Sequence, residues 1–212
     1  MRGVEFINNE YYHIYNRGVD KRTIFADKSD LDRFYQSMDE FNTEEPIGSI
    51  YANSFRKNPL RSLAPKKQKK IVDFICYCLN PNHYHFILSP LVDKGIEKFM
   101  HKIGGGYTNY FNEKHKRTGS LFQGTFKAIH IDSNEYLLHL SAYINLNNKA
   151  HSLGSEAPKS SWKEYITDSK ENFCNKKIIL GQFKNSSEYK KFAEDSLVDI
   201  KQRKDMEKLL LE

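Results

Sequence analysis

Residues 71–89 read Ile71-Val72-Asp73-Phe74-Ile75-Cys76-Tyr77-Cys78-Leu79-Asn80-Pro81-Asn82-His83-Tyr84-His85-Phe86-Ile87-Leu88-Ser89. Ile71 to Leu79 is apolar and rich in β-branched and aromatic residues, the composition of a strand. Asn80-Pro81-Asn82 is a tight turn, because Pro fixes one backbone angle and Asn tolerates turn conformations. His83 to Ser89 is a second strand, so the stretch predicts an antiparallel hairpin. Side chains alternate across a strand. His83 and His85 therefore project from one face, and Tyr84, Phe86 and Leu88 from the other, under helices.

Working outward, Tyr11 to Tyr15 is a further strand that stops at Asn16-Arg17-Gly18. Asp30 to Phe41 places Leu31, Phe34, Tyr35, Met38 and Phe41 at helical spacing, with Ser29 as the expected N-cap. Residues 43–70 carry Pro46, Gly48, Pro59 and Pro65, and from Arg56 to Lys70 there are seven basic residues and no acid, which predicts a long basic loop. Downstream, Gly95 to Glu113 predicts a helix interrupted at Gly104-Gly105-Gly106. Lys114 to Gln123 is a basic loop and Phe126 to Ile131 a strand. Asp132 or Ser133 caps a helix to about Asn145. The order is that of a ferredoxin-like βαββαβ core: an α+β fold with an antiparallel sheet, helices on one face and one helix added. Residues 1–150 are expected to form this domain. Residues 151–212 are expected to be a mostly helical C-terminal extension, with a short element at Trp162 to Ile166 and a helix from about Ser187 to Leu210.

Composition bounds the function. At 212 residues the chain is too short for an eight-fold α/β barrel of roughly 250. Aromatics at 13% are enough to build a core despite 28% charged residues. The net charge of +6 permits a polyanionic partner without demonstrating one. Cys76, Cys78 and Cys174 cannot form a closed disulfide set, which suits a reduced, cytoplasmic protein. No apolar run of membrane-spanning length and no signal-peptide pattern is present, so no membrane partner is expected.

Three groups of residues can carry chemistry. His83 and His85 on one strand face make half of a metal site, although an HxH also arises as two partly exposed histidines. Tyr143 and Asn147 are one helical turn apart, an arrangement equally found in a core helix with a capped end. Arg17, Lys21, Arg22, Lys114, Lys116, Arg117 and Lys127 lie among Tyr and Phe, a mixture that suits phosphate contacts and base stacking as well as a solvated surface.

Tyr12-His13-Ile14-Tyr15-Asn16-Arg17-Gly18, Pro81-Asn82-His83-Tyr84-His85-Phe86-Ile87-Leu88, Gly119-Ser120-Leu121-Phe122-Gln123-Gly124 and Tyr143-Ile144-Asn145-Leu146-Asn147 occur in this order. Together they resemble the REP-associated tyrosine transposases, single-tyrosine members of the HUH transposases, over residues 10–150. The resemblance implies a ferredoxin-like endonuclease that cuts and rejoins single-stranded DNA through a 5′-phosphotyrosine, at hairpin-type repeats. By matching position it implies Tyr143 as nucleophile and His83, His85 and Asn147 as ligands of a divalent metal, Mg²⁺ or Mn²⁺. Tyr107, Tyr110 and Tyr136 compete as nucleophile. One nucleophile per chain is compatible with a homodimer and does not demand one. Two other readings stay open: a hairpin-binding protein on the same fold that does not cut, and a zinc hydrolase drawing a further ligand from His13, His101, His115, His130 or His139.

Overall fold

The structure, a computed structural model, describes residues 4–45, 47–48, 69–147, 159–167 and 173–209. The basic stretch 56–68 lies outside the described residues. The strands are β1 (Tyr12–Arg17), β2 (Val72–Asn80), β3 (His83–Pro90), β4 (Lys127–His130) and β5 (Lys159–Ser160). The helices are α1 (Lys28–Glu40), α2 (Gly95–Lys114), α3 (Asn134–Asn145), α4 (Trp162–Ile166), α5 (Lys177–Leu180) and α6 (Ser186–Leu209). All pairings are antiparallel and the sheet order is β4-β1-β3-β2-β5. The first four strands have the order of the expected ferredoxin-like core.

The hairpin forms as its sequence predicts, with Asn80 opposite His83 and Val72 opposite Pro90. A bulge between Phe74 and Cys76 resets the alternation of β2. Val72, Phe74, Tyr77 and Leu79 consequently join one apolar layer, and Ile75, Cys76 and Cys78 join the other. The first layer holds Tyr12, Ile14, Tyr84, Phe86 and Leu88 of the sheet under Phe34 and Met38 of α1 and Phe99, Ile103 and Tyr107 of α2.

Helices cover both faces of the sheet, where one covered face is expected from the sequence. The second layer packs Ile87 with Cys76 and Cys78 beneath Leu137, Leu140 and Ile144 of α3, Tyr165 of α4 and Tyr189, Ala193 and Leu197 of α6. The reason lies in β2, whose nearly unbroken apolar run must be buried on two sides. The C-terminal segment thus supplies part of the core, and β5 also extends the sheet beside Cys78 and Leu79.

Two local expectations are corrected. Asp27, rather than Ser29, caps α1 by accepting the Asp30 N–H at 2.9 Å. Helix α2 runs without a break through its three glycines. At Gly106 a Cβ would stand 2.8 Å from the Phe41 ring, so the missing side chain lets α2 close on the end of α1. Among the described residues no helix is long and apolar enough to cross a membrane.

Candidate active site

Strand β3 and helix α3 bring the sequence-predicted residues together. On β3, His83 and His85 point away from the buried Tyr84 and Phe86, toward α3. The turn before them is pinned from β1 and the loop after it. Gly18 N–H donates to the Asn82 carbonyl at 2.8 Å, and Ile24 and Phe25 N–H donate to the Pro81 carbonyl at 2.7 and 3.1 Å. A Cβ at Gly18 would lie 2.2 Å from the Arg22 carbonyl oxygen, so only glycine fits there.

Helix α3 starts at Ser133, whose hydroxyl accepts the Tyr136 N–H at 3.2 Å. Its apolar face fixes its rotation on the sheet. Tyr143, half-buried, meets His85 edge-on with ring centroids 6.0 Å apart. One turn later Asn147 is fully buried.

The polar contacts between these groups are specific. His83 Nδ1 lies 2.6 Å from Asn82 Oδ1, and its Nε2 lies 2.8 Å from Asn80 Nδ2. An amide oxygen only accepts and an amide nitrogen only donates, so His83 carries its proton on Nδ1 and a lone pair on Nε2. The same Asn80 Nδ2 donates to Asn147 Oδ1 at 2.6 Å. Asn147 Nδ2 is buried without a hydrogen bond. His85 Nδ1 lies 2.9 Å from Nε2 of His13, a nearly buried residue of β1. Burial lowers the His13 pKa to about 4, so its ring is neutral at physiological pH. Burial raises the Tyr143 phenol above its ordinary value; the nearby Asn147 amide offsets part of this and Cys78 adds to it. The Tyr143 phenol therefore holds its proton at neutral pH.

Asn80 and Tyr15 are the members that the sequence does not single out, and His13, expected there only as a further ligand of a zinc site, stands behind His85. His13 and Tyr15 alternate on β1, whose register sets Tyr15 opposite His85 and Arg17 opposite His83. The Tyr15 ring stacks on His13 at 4.8 Å and on His85 at 5.7 Å. The His13-x-Tyr15 and His83-x-His85 alternations carry a signal, but strand register is needed to combine them.

The basic residues divide. Lys127 lies opposite Tyr15 on β4, with its ammonium 6.0 Å from that ring. Arg17 is exposed at the end of β1 and bonds Gln123. Lys21 and Arg22 follow in the turn beside Asn82, which donates to the Lys21 carbonyl at 3.2 Å. These four adjoin the His83 end of the hairpin. Lys114 instead reaches Asp27 and Asp30, each at 2.7 Å, and Arg117 braces its own loop through Asn112 and Ser120. Lys116 is exposed beside Arg117, with φ of 52°. Asp27, Asp30 and His115 have the spacing of a cation site, but the Lys114 ammonium already bonds both carboxylates. An open cleft of about 440 Å³, lined by Tyr11, Asp73, Ser89 and Lys177, lies at the opposite end of the β2–β3 hairpin from His83.

The strand order and the helices placed over it define a ferredoxin-like α+β protein with imidazole, amide and phenol groups gathered on one face. Residues 48–147 match the family described as Transposase IS200 like, which bears out the transposase resemblance read from the motifs. The structure of a REP-associated tyrosine transposase bound to a REP hairpin shares 13% identity with this chain, with a TM-score of 0.55, covering 82% of this chain and 88% of that one. At this identity the likeness establishes the fold. A candidate transposase from Deinococcus radiodurans aligns at 11% identity and a TM-score of 0.39, over 68% of this chain and 95% of that one. No curated protein matches the chain.

Proposed function

We propose that this chain is a divalent-metal-dependent transposase that cleaves and rejoins single-stranded DNA through a covalent link to Tyr143, at hairpin-type repeats. The observation that carries the reading is the meeting of His83 Nε2 and Asn147 Oδ1 at one point, with Tyr143 beside His85. The donor set fits a metal: His83 presents a lone pair at Nε2, Asn147 an amide oxygen, and His85 has His13 as a second-nitrogen partner of the kind that orients ligating imidazoles. A mixed nitrogen and oxygen set suits Mn²⁺ and tolerates Mg²⁺. When bound by His83, His85 and Asn147, such an ion would neutralise the anionic oxygens that repel a nucleophile from a phosphodiester.

The chain's own groups supply the rest. The Tyr143 oxygen bonds to phosphorus as the bond from phosphorus to the 3′ oxygen breaks, and the phenol proton passes by way of solvent to that departing oxygen, giving a 5′-phosphotyrosine and a free 3′-OH. The reverse attack by a 3′-OH restores tyrosine and rejoins DNA without an external energy source. Arg17, Lys21, Arg22 and Lys127 flank the site as phosphate contacts, and Tyr15 offers a ring for a flanking base. Lys116 and Arg117 extend the proposed contact surface, while Lys114, held between two carboxylates, contributes less. Residues 1–150 carry this chemistry, with 151–212 as the extension.

The test is incubation with single-stranded hairpin oligonucleotides and Mn²⁺, followed by denaturing electrophoresis. A protein–DNA adduct is expected with the native chain and none with Tyr143→Phe, which keeps the ring and loses the oxygen. An adduct persisting in the Phe variant, or mapped to Tyr107, Tyr110 or Tyr136, overturns the assignment. Hairpin binding without any adduct identifies a non-cleaving binder.

A further inference from the structure

Asn80 stands just before the turn of the β2–β3 hairpin, fully buried. One atom of it, Nδ2, donates both to His83 Nε2 at 2.8 Å and to Asn147 Oδ1 at 2.6 Å. Those are two of the three ligand atoms that the proposed function assigns to a metal. We infer that Asn80 is a positioning residue that holds the metal site shut, its amide nitrogen taking the place of the cation between His83 and Asn147. This inference rests on the metal-site reading and adds a competitor to it.

The exclusion follows from valence. A neutral imidazole nitrogen has one lone pair, directed in the ring plane. While His83 Nε2 accepts from Asn80 it cannot ligate an ion. First-row divalent ions sit roughly 2.0–2.2 Å from nitrogen and oxygen ligands. An ion on both ligands would therefore lie in the wedge that Nδ2 occupies. The carboxamide is held by a third contact, from Cys78 Sγ to Asn80 Oδ1 at 3.5 Å. Asn147 shows the other side of the arrangement: its oxygen is engaged by Asn80 while its nitrogen stays buried with no hydrogen bond. Turning the Asn80 amide away releases His83 Nε2 and one Asn147 lone pair together. Metal entry and Asn80 withdrawal are then a single event, and the closed form keeps the ligands aligned when no metal is bound.

The experiment titrates the native chain, Asn80→Ala and Asn80→Leu with Mn²⁺ in the absence of DNA, reading free Mn²⁺ by electron paramagnetic resonance. Removal of the amide is expected to tighten Mn²⁺ binding roughly tenfold, the scale of two buried hydrogen bonds that no longer have to break. The metal-free variants should melt lower than the native chain and gain more from Mn²⁺. Asn80→Leu keeps side-chain volume and serves if the alanine variant does not fold. His83→Ala separates the two ideas. If native Mn²⁺ binding does not depend on His83, the metal site falls and the latch with it. If binding depends on His83 but is unchanged or weaker without the Asn80 amide, the latch alone is overturned.

Discussion

Replacing Tyr189 with Phe tests how far the C-terminal helix supports the helix that carries Tyr143. Tyr189 is fully buried on α6, against Tyr165, Phe183 and Trp162. Its hydroxyl accepts from Asn145 Nδ2 at 2.9 Å and lies 3.1 Å from Ser141 Oγ. Phe keeps the ring contacts. Ser141 keeps its bond to the Leu138 carbonyl at 2.7 Å, and Asn145 Oδ1 still accepts from Ser161 at 2.6 Å. What remains is one buried Asn145 N–H pair with a donor unmet, which costs about 1–3 kcal/mol. A loss of about 2 kcal/mol corresponds to a fall of roughly 4–8 °C in melting temperature for a chain of this size. Urea unfolding at constant m-value is the assay. A loss below about 0.5 kcal/mol would refute the reasoning, because it would mean that Asn145 finds another acceptor at no cost.

Further outcomes are expected elsewhere. Gly105→Ala meets open space in α2 and should stabilise by about 0.5–1 kcal/mol, whereas Gly106→Ala collides with the Phe41 ring at 2.8 Å and should destabilise; thermal melts of the pair check both signs. His85→Ala should abolish metal-dependent adduct formation while leaving most hairpin affinity, as read by gel shift beside the cleavage assay, since phosphate contacts supply much of that affinity. Lys127→Glu should weaken DNA binding and flatten its salt dependence, and an unchanged slope would remove Lys127 from the interface. Lys114→Glu should instead lower stability, measured by urea unfolding, by setting a third carboxylate beside Asp27 and Asp30.

Much of this arrangement is legible in sequence, and the illegible parts have physical causes. The hairpin announces itself through its apolar run and the Pro81-Asn82 turn, and the His83/His85 pair follows from alternation alone. Ser133 and the spacing of Leu137, Leu140 and Ile144 declare α3. The capping of α1 is less legible, because Asp27 and Ser29 both offer an acceptor and only the chain's approach decides between them. Three consecutive glycines read as an interruption, since local propensity knows nothing of Phe41. The contacts of Asn80 and His13 are least legible. Asn80 lies 67 residues from Asn147, and His13 lies 72 from His85. Nothing local reports such neighbours before the sheet order is known.

That sheet order also sets a sequence of events during folding. The β2–β3 hairpin closes across two residues, so its pairing asks little of chain entropy. Strand β1 sits between β3 and β4, and its partners begin 66 residues downstream: Arg17 pairs with His83 and Tyr12 with His130. As the chain is synthesised, the first strand must wait, with Tyr12 and Ile14 uncovered, until most of the domain has been made. Pairings of that sequence separation are slow to form and leave apolar strand exposed. Pulse-labelling hydrogen exchange should accordingly find β2 and β3 amides protected before those of β1; the opposite order would contradict this account. The strand that carries His13 and Tyr15 to the site is made before both strands it pairs with, and it is placed only after them.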